Sequence, residues 1–239
     1  MNLVDAIIQS CDVYFYQLGL KVGLEKWTRY AELCGFGEKT EVDLPDEVEG
    51  LVPSLEYYNK RYGKGEWVKN LVINLSIGQG EILVTPLQLA SFFCGLATDG
   101  TIYRPHILKE IIPTDGRVIT TQSEVLMRLP FTPSSLELLD EAMIGVVSDS
   151  GGTGILARIS DVTVGGKTGT VQNPHGEDHA WFVGYAPAEN PEIVVAVLVE
   201  NIGHGGTFAA PVAKRIIDEY LKRGVVAEER DSILAVSSH

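Results

Sequence analysis

Three segments in the last third constrain the chain most. Thr163 to Gln172, Ala180 to Ala186 and Ile193 to Asn201 each have the length and apolar content of a strand. Asn173-Pro174-His175-Gly176 and Ala188-Glu189-Asn190-Pro191 are the turns between them. Successive strands joined by short turns read as a meander. Helices are expected on both sides of it. Ile7, Ile8, Cys11, Tyr14, Phe15 and Leu18 recur at helical spacing, and a second helix covers Leu24 to Cys34 and stops at Gly35. Phe208, Val212, Ile216, Ile217, Tyr220 and Leu221 mark a C-terminal amphipathic helix. The combination predicts an α+β fold with helices packed on an antiparallel sheet.

The middle of the chain adds detail. Residues 35–65 form a polar excursion carrying Glu41, Asp43, Asp46, Glu47 and Glu49, with a short helix after Ser54. Its acidic stretch from Glu38 to Glu49 reads as a solvated face. Thr85-Pro86-Leu87-Gln88 is a helix start: Thr caps, Pro suits the first helical position, and Gln88 completes a capping box. That helix is expected to run to about Thr98. Ile102 to Ile112 and Arg117 to Thr121 read as a strand pair around Thr114-Asp115-Gly116. Thr132-Pro133 opens a helix whose stripe is Leu136, Leu139, Met143, Val146 and Val147, with Glu137, Asp140 and Glu141 turned outward.

Composition narrows the function classes. With 239 residues, 45% hydrophobic and 21% charged, the chain is an ordinary globular sequence rather than a disordered one. A net charge of -13 argues against nucleic acid, which calls for a basic footprint. The longest apolar run, Ile193 to Val199, is seven residues, too short to span a bilayer as a helix. Cys11, Cys34 and Cys94 form no Cys-x-x-Cys pair and read as small buried thiols.

The string Gly165-Gly166-Lys167-Thr168-Gly169-Thr170 carries the most chemistry. A phosphate-binding loop would need glycine at position 161, where Asp161 stands, and would open a helix rather than continue a strand. A strand lining a serine acyl-transfer site fits better. Gly169 lets a substrate backbone lie close, and Thr168 and Thr170 share a strand face where their hydroxyls can hold a carboxylate. Lys167 supplies positive charge for an anionic substrate end. Ser10-Cys11-Asp12 is a candidate partner motif. Residues two apart on a helix diverge by about 200°. Ser10 and Asp12 can therefore face one cleft only if the helix breaks near Cys11, and either then caps the helix that follows. His175-Gly176-Glu177-Asp178-His179 lacks metal-site spacing and reads as a hairpin loop. His204-Gly205-Gly206-Thr207 and Gly151-Gly152-Thr153-Gly154 read as a connection needing positive φ and a flexible turn, in preference to anion cradles.

Taken together, these stretches resemble the transpeptidase domain of class B penicillin-binding proteins. Those that match are Ser10-Cys11-Asp12 with Tyr14-Phe15-Tyr16, Ser76-Ile77-Gly78-Gln79-Gly80, Thr85-Pro86-Leu87-Gln88-Leu89-Ala90 and Gly166-Lys167-Thr168-Gly169-Thr170. Ala180-Trp181-Phe182-Val183-Gly184-Tyr185-Ala186-Pro187 and Val199-Glu200-Asn201 match as well. Asp12 in place of Asn resembles the cell-elongation type, penicillin-binding protein 2.

The resemblance implies a penicillin-binding protein/serine β-lactamase-like fold and D,D-transpeptidation of peptidoglycan stem peptides through a serine acyl-enzyme. The implied partners are stem peptides ending in D-Ala-D-Ala, β-lactams and a membrane glycosyltransferase. No cofactor, metal or nucleic acid is implied. Ser10 would relay protons, Asp12 would contact the substrate amide, and Lys167 would hydrogen-bond Ser10. Thr168 and Thr170 would bind the terminal carboxylate beside Gly169, and the Thr170 N–H would donate to the oxyanion.

One departure stands out. No Ser in the sequence is followed three positions later by Lys, so the family's Ser-x-x-Lys nucleophile motif is absent. Residues 1–223 are therefore expected to be the C-terminal portion of such a domain, N-terminally truncated and inactive alone, with 224–239 a flexible tail. The missing helix behind the sheet would leave apolar surface exposed and solubility poor. The full-length protein would sit at the outer face of the cytoplasmic membrane, and its anchor is not in this sequence. The competing readings are a non-catalytic relative that binds cell-wall peptide or protein, and a β-lactam sensor or β-lactamase of the same fold.

Overall fold

The computed structural model describes residues 1–64 and 70–236. Gly65, the last residue of the expected excursion, and residues 237–239 of the expected tail lie outside the described residues. The chain divides into two compact units, Met1–Ala142 and Met143–His239.

The first unit is mostly helical. Helices α1 (Leu3–Ile8) and α2 (Asp12–Val22) are separated by a break at residues 9–11, so the expected single helix is two. Helix α3 (Leu24–Leu33) ends where Cys34 caps it and Gly35 takes a positive φ of 88°. Ser54 caps α4 (Leu55–Tyr62) by accepting from the Tyr57 N–H. Helix α5 (Asn70–Leu75) is an element the sequence reading did not contain. Leu24, Tyr58, Val72 and Leu75 form a buried cluster that ties α3, α4 and α5 together, with Trp27 and Ile82 packed against it. The Tyr58 and Tyr62 hydroxyls both donate to Glu81, at 3.0 and 2.7 Å, which fastens the segment after Gly80 to α4.

Helix α6 (Pro86–Leu96) starts as expected. The Thr85 hydroxyl accepts from the Gln88 N–H while Gln88 Oε1 accepts from the Thr85 N–H, a complete capping box. Gln88 does more than cap. It is buried, and its Nε2 donates to the carbonyls of Glu38 at 2.7 Å and Glu49 at 2.9 Å. The acidic stretch from Glu38 to Glu49 is thus pinned at both ends to one side chain.

The acidic stretch is not merely solvated. Glu47 accepts from the Thr40 hydroxyl and from the Thr40 and Glu41 N–H groups, and Asp43 accepts from the N–H groups of Ile107 and Leu108.

The expected long strand from Ile102 to Ile112 is divided. Strand β1 (Thr101–Tyr103) pairs antiparallel with β4 (Val125–Arg128), and β2 (Glu110–Ile111) with β3 (Ile119–Thr120). Asp43, bonded between the two short strands at residues 107 and 108, takes up N–H groups that a continuous ladder would have used.

Helix α7 (Pro133–Ser148) carries the chain from the first unit into the second. A 3-10 turn at Ile155–Ala157 follows, then β5 (Gly165–Val171), β6 (His179–Ala186) and β7 (Ile193–Val199) in the order β5-β6-β7, all antiparallel. The meander is as the sequence predicts. Phe182 and Tyr185 are both fully buried and fall on opposite faces of β6, so the central strand is covered on both sides.

Helix α8 (Gly205–Val236) packs on this sheet and continues well past Leu221. Its buried face is Ala209, Ala210, Ala213 and Ile217. Phe208, Val212, Ile216 and Tyr220, expected on the apolar face, are exposed instead. Small residues let the helix approach the sheet closely, and the bulky ones are left outside.

Candidate active site

Ser10 and Asp12 flank the break between α1 and α2. Gln9 caps α1 at its C-terminus, and Ser10 follows in the left-handed region with φ 51°. The Cys11 N–H donates to the Ala6 carbonyl at 2.9 Å and the Ser10 N–H to Ile7 at 3.1 Å. These are the two bonds of a Schellman motif, whose left-handed position glycine usually fills. Serine there costs about 1 kcal/mol relative to glycine, so the side chain is retained against the backbone's preference.

The break the sequence argument required is present, but the capping expected of Ser10 or Asp12 is not. Cys11 occupies the N-cap of α2 without a side-chain bond, and Asp12 is the first helical residue. Its carboxylate lies in the first turn, where the helix dipole favours negative charge. Helix α2 is held by a close approach to the segment after α5: a Cβ on Gly19 would stand 2.5 Å from Ser76 Cβ. The Ser76 hydroxyl donates to the Ile73 carbonyl at 2.6 Å.

Lys167, Thr168, Gly169 and Thr170 lie together on β5, whose only strand partner among the described residues is β6. All four are half-buried. Lys167 Nζ donates to the Thr168 carbonyl at 3.0 Å. Gly169 stands opposite Trp181, where a Cβ would come within 3.1 Å of Trp181 Cβ.

Each threonine hydroxyl has a polar neighbour. The Thr168 and Thr153 hydroxyls are 2.7 Å apart, and the Thr170 hydroxyl accepts from the Gly205 N–H at 3.4 Å.

Gly205 and Gly206 explain how α8 reaches this strand. A Cβ on Gly205 would lie 2.3 Å from the Gly169 carbonyl oxygen and 2.2 Å from that of Trp181, and one on Gly206 would lie 2.3 Å from the Thr153 carbonyl oxygen. Neither glycine has a positive φ, and neither has Gly152 nor Gly154. Gly152, Gly154, Gly205 and Gly206 are therefore set by close packing, not by the left-handed backbone or the flexibility the sequence suggested.

Thr153 and Gly205 were not among the expected site residues. The glycines flanking Thr153 were the one available signal of a tightly packed turn.

The remaining candidates resolve simply. His179 Nδ1 accepts from the Asn201 N–H at 3.1 Å, and Asn173 Nδ2 bonds Asn201, so the hairpin loop at 173–178 is tied to the end of β7. Among the described residues no group of three or more His, Cys, Asp or Glu is placed to hold a metal ion. The three cysteines are free, and burial pushes the Cys34 thiol up to about 11 and the Cys94 thiol upward as well.

The geometry defines a strand with a lysine and two supported hydroxyls, separate in sequence from a Ser-x-Asp turn. Residues 1–218 match the family model of the penicillin binding protein transpeptidase domain. The chain belongs to that family, and its fold is the α+β transpeptidase fold.

Within the family it is similar to proteins of the penicillin-binding protein 2 type. It is 37% identical to the peptidoglycan D,D-transpeptidase MrdA of Acinetobacter baumannii over 236 residues, covering 92% of this chain and 34% of that protein. It superposes on Pseudomonas aeruginosa PBP2, crystallised in complex with WCK 5153, with a TM-score of 0.80 and 36% identity, covering 92% of this chain and 49% of that one. It likewise matches PBP2 in a complex with MreC from Helicobacter pylori, with a TM-score of 0.74 and 32% identity over 91% of this chain and 40% of that one. The chain thus spans about a third of the length of the curated relative it matches.

Proposed function

We propose that this chain supplies the substrate-carboxylate strand and the Ser-x-Asp turn of a peptidoglycan D,D-transpeptidase of the cell-elongation type. The observation that carries the reading is the pair of β5 hydroxyls, Thr168 and Thr170, each in hydrogen-bond contact with a neighbour, Thr153 and the Gly205 N–H. Two hydroxyls one strand period apart suit the terminal carboxylate of a D-Ala-D-Ala peptide, and Lys167 supplies compensating charge. The Thr170 N–H donates to the oxyanion, Ser10 relays the proton to the leaving amine, and Asp12 receives the substrate amide.

In the longer protein a serine attacks the D-Ala-D-Ala carbonyl, D-Ala leaves, and an amine of a second stem peptide takes the acyl group. β-Lactams stop at the acyl-enzyme. That protein acts at the outer face of the cytoplasmic membrane beside a glycosyltransferase, a pairing supported by its likeness to a chain of a peptidoglycan synthase complex that coordinates polymerization and crosslinking. Among the described residues no helix is long and apolar enough to cross a membrane.

Because the sequence holds no Ser-x-x-Lys, the 239-residue chain alone binds but does not acylate. Intact-mass spectrometry after incubation with benzylpenicillin is expected to show no adduct. NMR titration with an acetylated peptide ending in D-Ala-D-Ala is expected to shift the β5 amides. A stoichiometric covalent adduct would overturn the claim of inactivity, and silence of β5 toward the peptide would overturn the binding role.

A further inference from the structure

The turn that precedes the 3-10 helix is built with unusual care for a loop. Gly154 N–H donates to the Val146 carbonyl at 2.9 Å and Gly152 N–H to the Asp149 carbonyl at 3.1 Å, which fastens both sides of Thr153 to the end of α7. Gly206 presses on the Thr153 carbonyl from the other side. A Cβ on Gly152 would collide with the Val146 and Gly145 carbonyls at 2.4 and 2.7 Å. The backbone of Thr153 is thus held on three sides, and its one polar side-chain atom lies 2.7 Å from Thr168 Oγ1.

We propose that Thr153 is a positioning residue for carboxylate recognition, donating its hydroxyl proton to Thr168 so that the Thr168 O–H turns toward the ligand. This deepens the reading of β5 as the carboxylate strand and rests on it.

The chemistry follows from counting protons. Two hydroxyls 2.7 Å apart share one hydrogen bond, and either can donate. If Thr168 donates to Thr153, its lone pairs face the ligand and repel an anion. If Thr153 donates to Thr168, the Thr168 proton is available to the anion, and the two bonds in series strengthen each other. An anionic ligand selects the second arrangement, while a neutral ligand gains little from it. Thr170 has a parallel arrangement, since its oxygen accepts from the Gly205 N–H. That donor is backbone, so only the Thr168 arm can be removed by a side-chain change.

The test uses the 239-residue chain, an acetylated peptide ending in D-Ala-D-Ala carboxylate, and the same peptide as its C-terminal amide, with Kd read from β5 amide shifts. The unaltered chain and Thr153→Ser are expected to prefer the carboxylate peptide. Thr153→Val is expected to lose about threefold to tenfold of that preference, with affinity for the amide peptide falling by much less. In a Thr168→Val background, Thr153→Val is expected to have no further effect on the preference.

The proposal is overturned if Thr153→Val keeps the full preference, or weakens both peptides equally, as a purely structural role would. Should Thr153→Val not fold, Thr153→Ala is judged by the same ratio. If the unaltered chain shows no preference for the carboxylate, the reading of β5 falls first, and this inference with it.

Discussion

Ser10 and Gly205 show opposite ways in which single residues mark this site. Ser10 occupies a left-handed position that suits glycine, so its hydroxyl is kept at the expense of stability. Ser10→Gly is expected to raise the unfolding free energy by about 1 kcal/mol, read by denaturant titration. An unchanged or lowered midpoint would show that the hydroxyl itself stabilises the turn. Gly205 occupies a position where only glycine fits. Gly205→Ala places a methyl group against two carbonyl oxygens and is expected to cost about 1–3 kcal/mol. Gly151 has nothing within 4 Å of a built Cβ, so Gly151→Ala, in the turn that carries Thr153, is expected to stay within about 0.5 kcal/mol of the unaltered chain. Equal losses from the two alanines would refute the packing account.

At the scale of elements, the acidic stretch from Glu38 to Glu49 is held by a few polar side chains rather than by a core. Gln88→Leu removes the donor to two carbonyls and the acceptor for the Thr85 N–H, and is expected to cost about 2–3 kcal/mol. Thermal melts would measure it. Asp43 gives a pH dependence. Bonds from the Ile107 and Leu108 N–H groups hold its carboxyl below the usual carboxylate range. Its folded-state value is therefore depressed, so its contribution is present above the ordinary value of about 3.9 and declines as pH falls through the lower folded value. Hydrogen exchange at Ile107 and Leu108, corrected for intrinsic rates, is expected to lose protection over that acid range, and Asp43→Asn to remove the pH dependence. The sequence made the meander and the Thr85 capping box legible because both rest on local period and local bonds. It did not reveal Gln88 as a pin, since Glu38 and Glu49 lie 50 and 39 residues away. It placed the helix and Ile217 correctly but misassigned the rest of the buried face of α8, because apolarity marked Phe208 and Val212, whereas depth of approach to the sheet selected Ala209, Ala210 and Ala213.

For the whole molecule the exposed stripe on α8 sets solution behaviour. Phe208, Val212, Ile216 and Tyr220 recur every four residues and are 38%, 41%, 44% and 46% exposed. Contiguous apolar surface of this kind binds hydrophobic dyes and promotes association. The chain is expected to enhance anilinonaphthalene sulfonate fluorescence while folded and to associate with rising concentration. Val212→Lys with Ile216→Glu is expected to suppress both and leave the melting temperature nearly unchanged. Light scattering that does not respond to the double variant would place the association elsewhere. The candidate residues were legible, since Ser10, Asp12 and the Lys167 to Thr170 string stand out by type and spacing. Their support was not: Thr153 and Gly205 meet β5 only through a fold that brings residues 15 and 35 positions away against it.

The contact of Gly205 with Gly169 has a consequence for how such a strand can evolve. Every single-base change in a glycine codon that alters the residue adds atoms, and here there is no room for them. A lineage selected for altered ligand preference is therefore barred from adjusting the spacing between α8 and β5 in small steps. Its accessible route runs through the hydroxyl-bearing positions beside the glycines, where a methyl or a proton can be exchanged without moving the backbone.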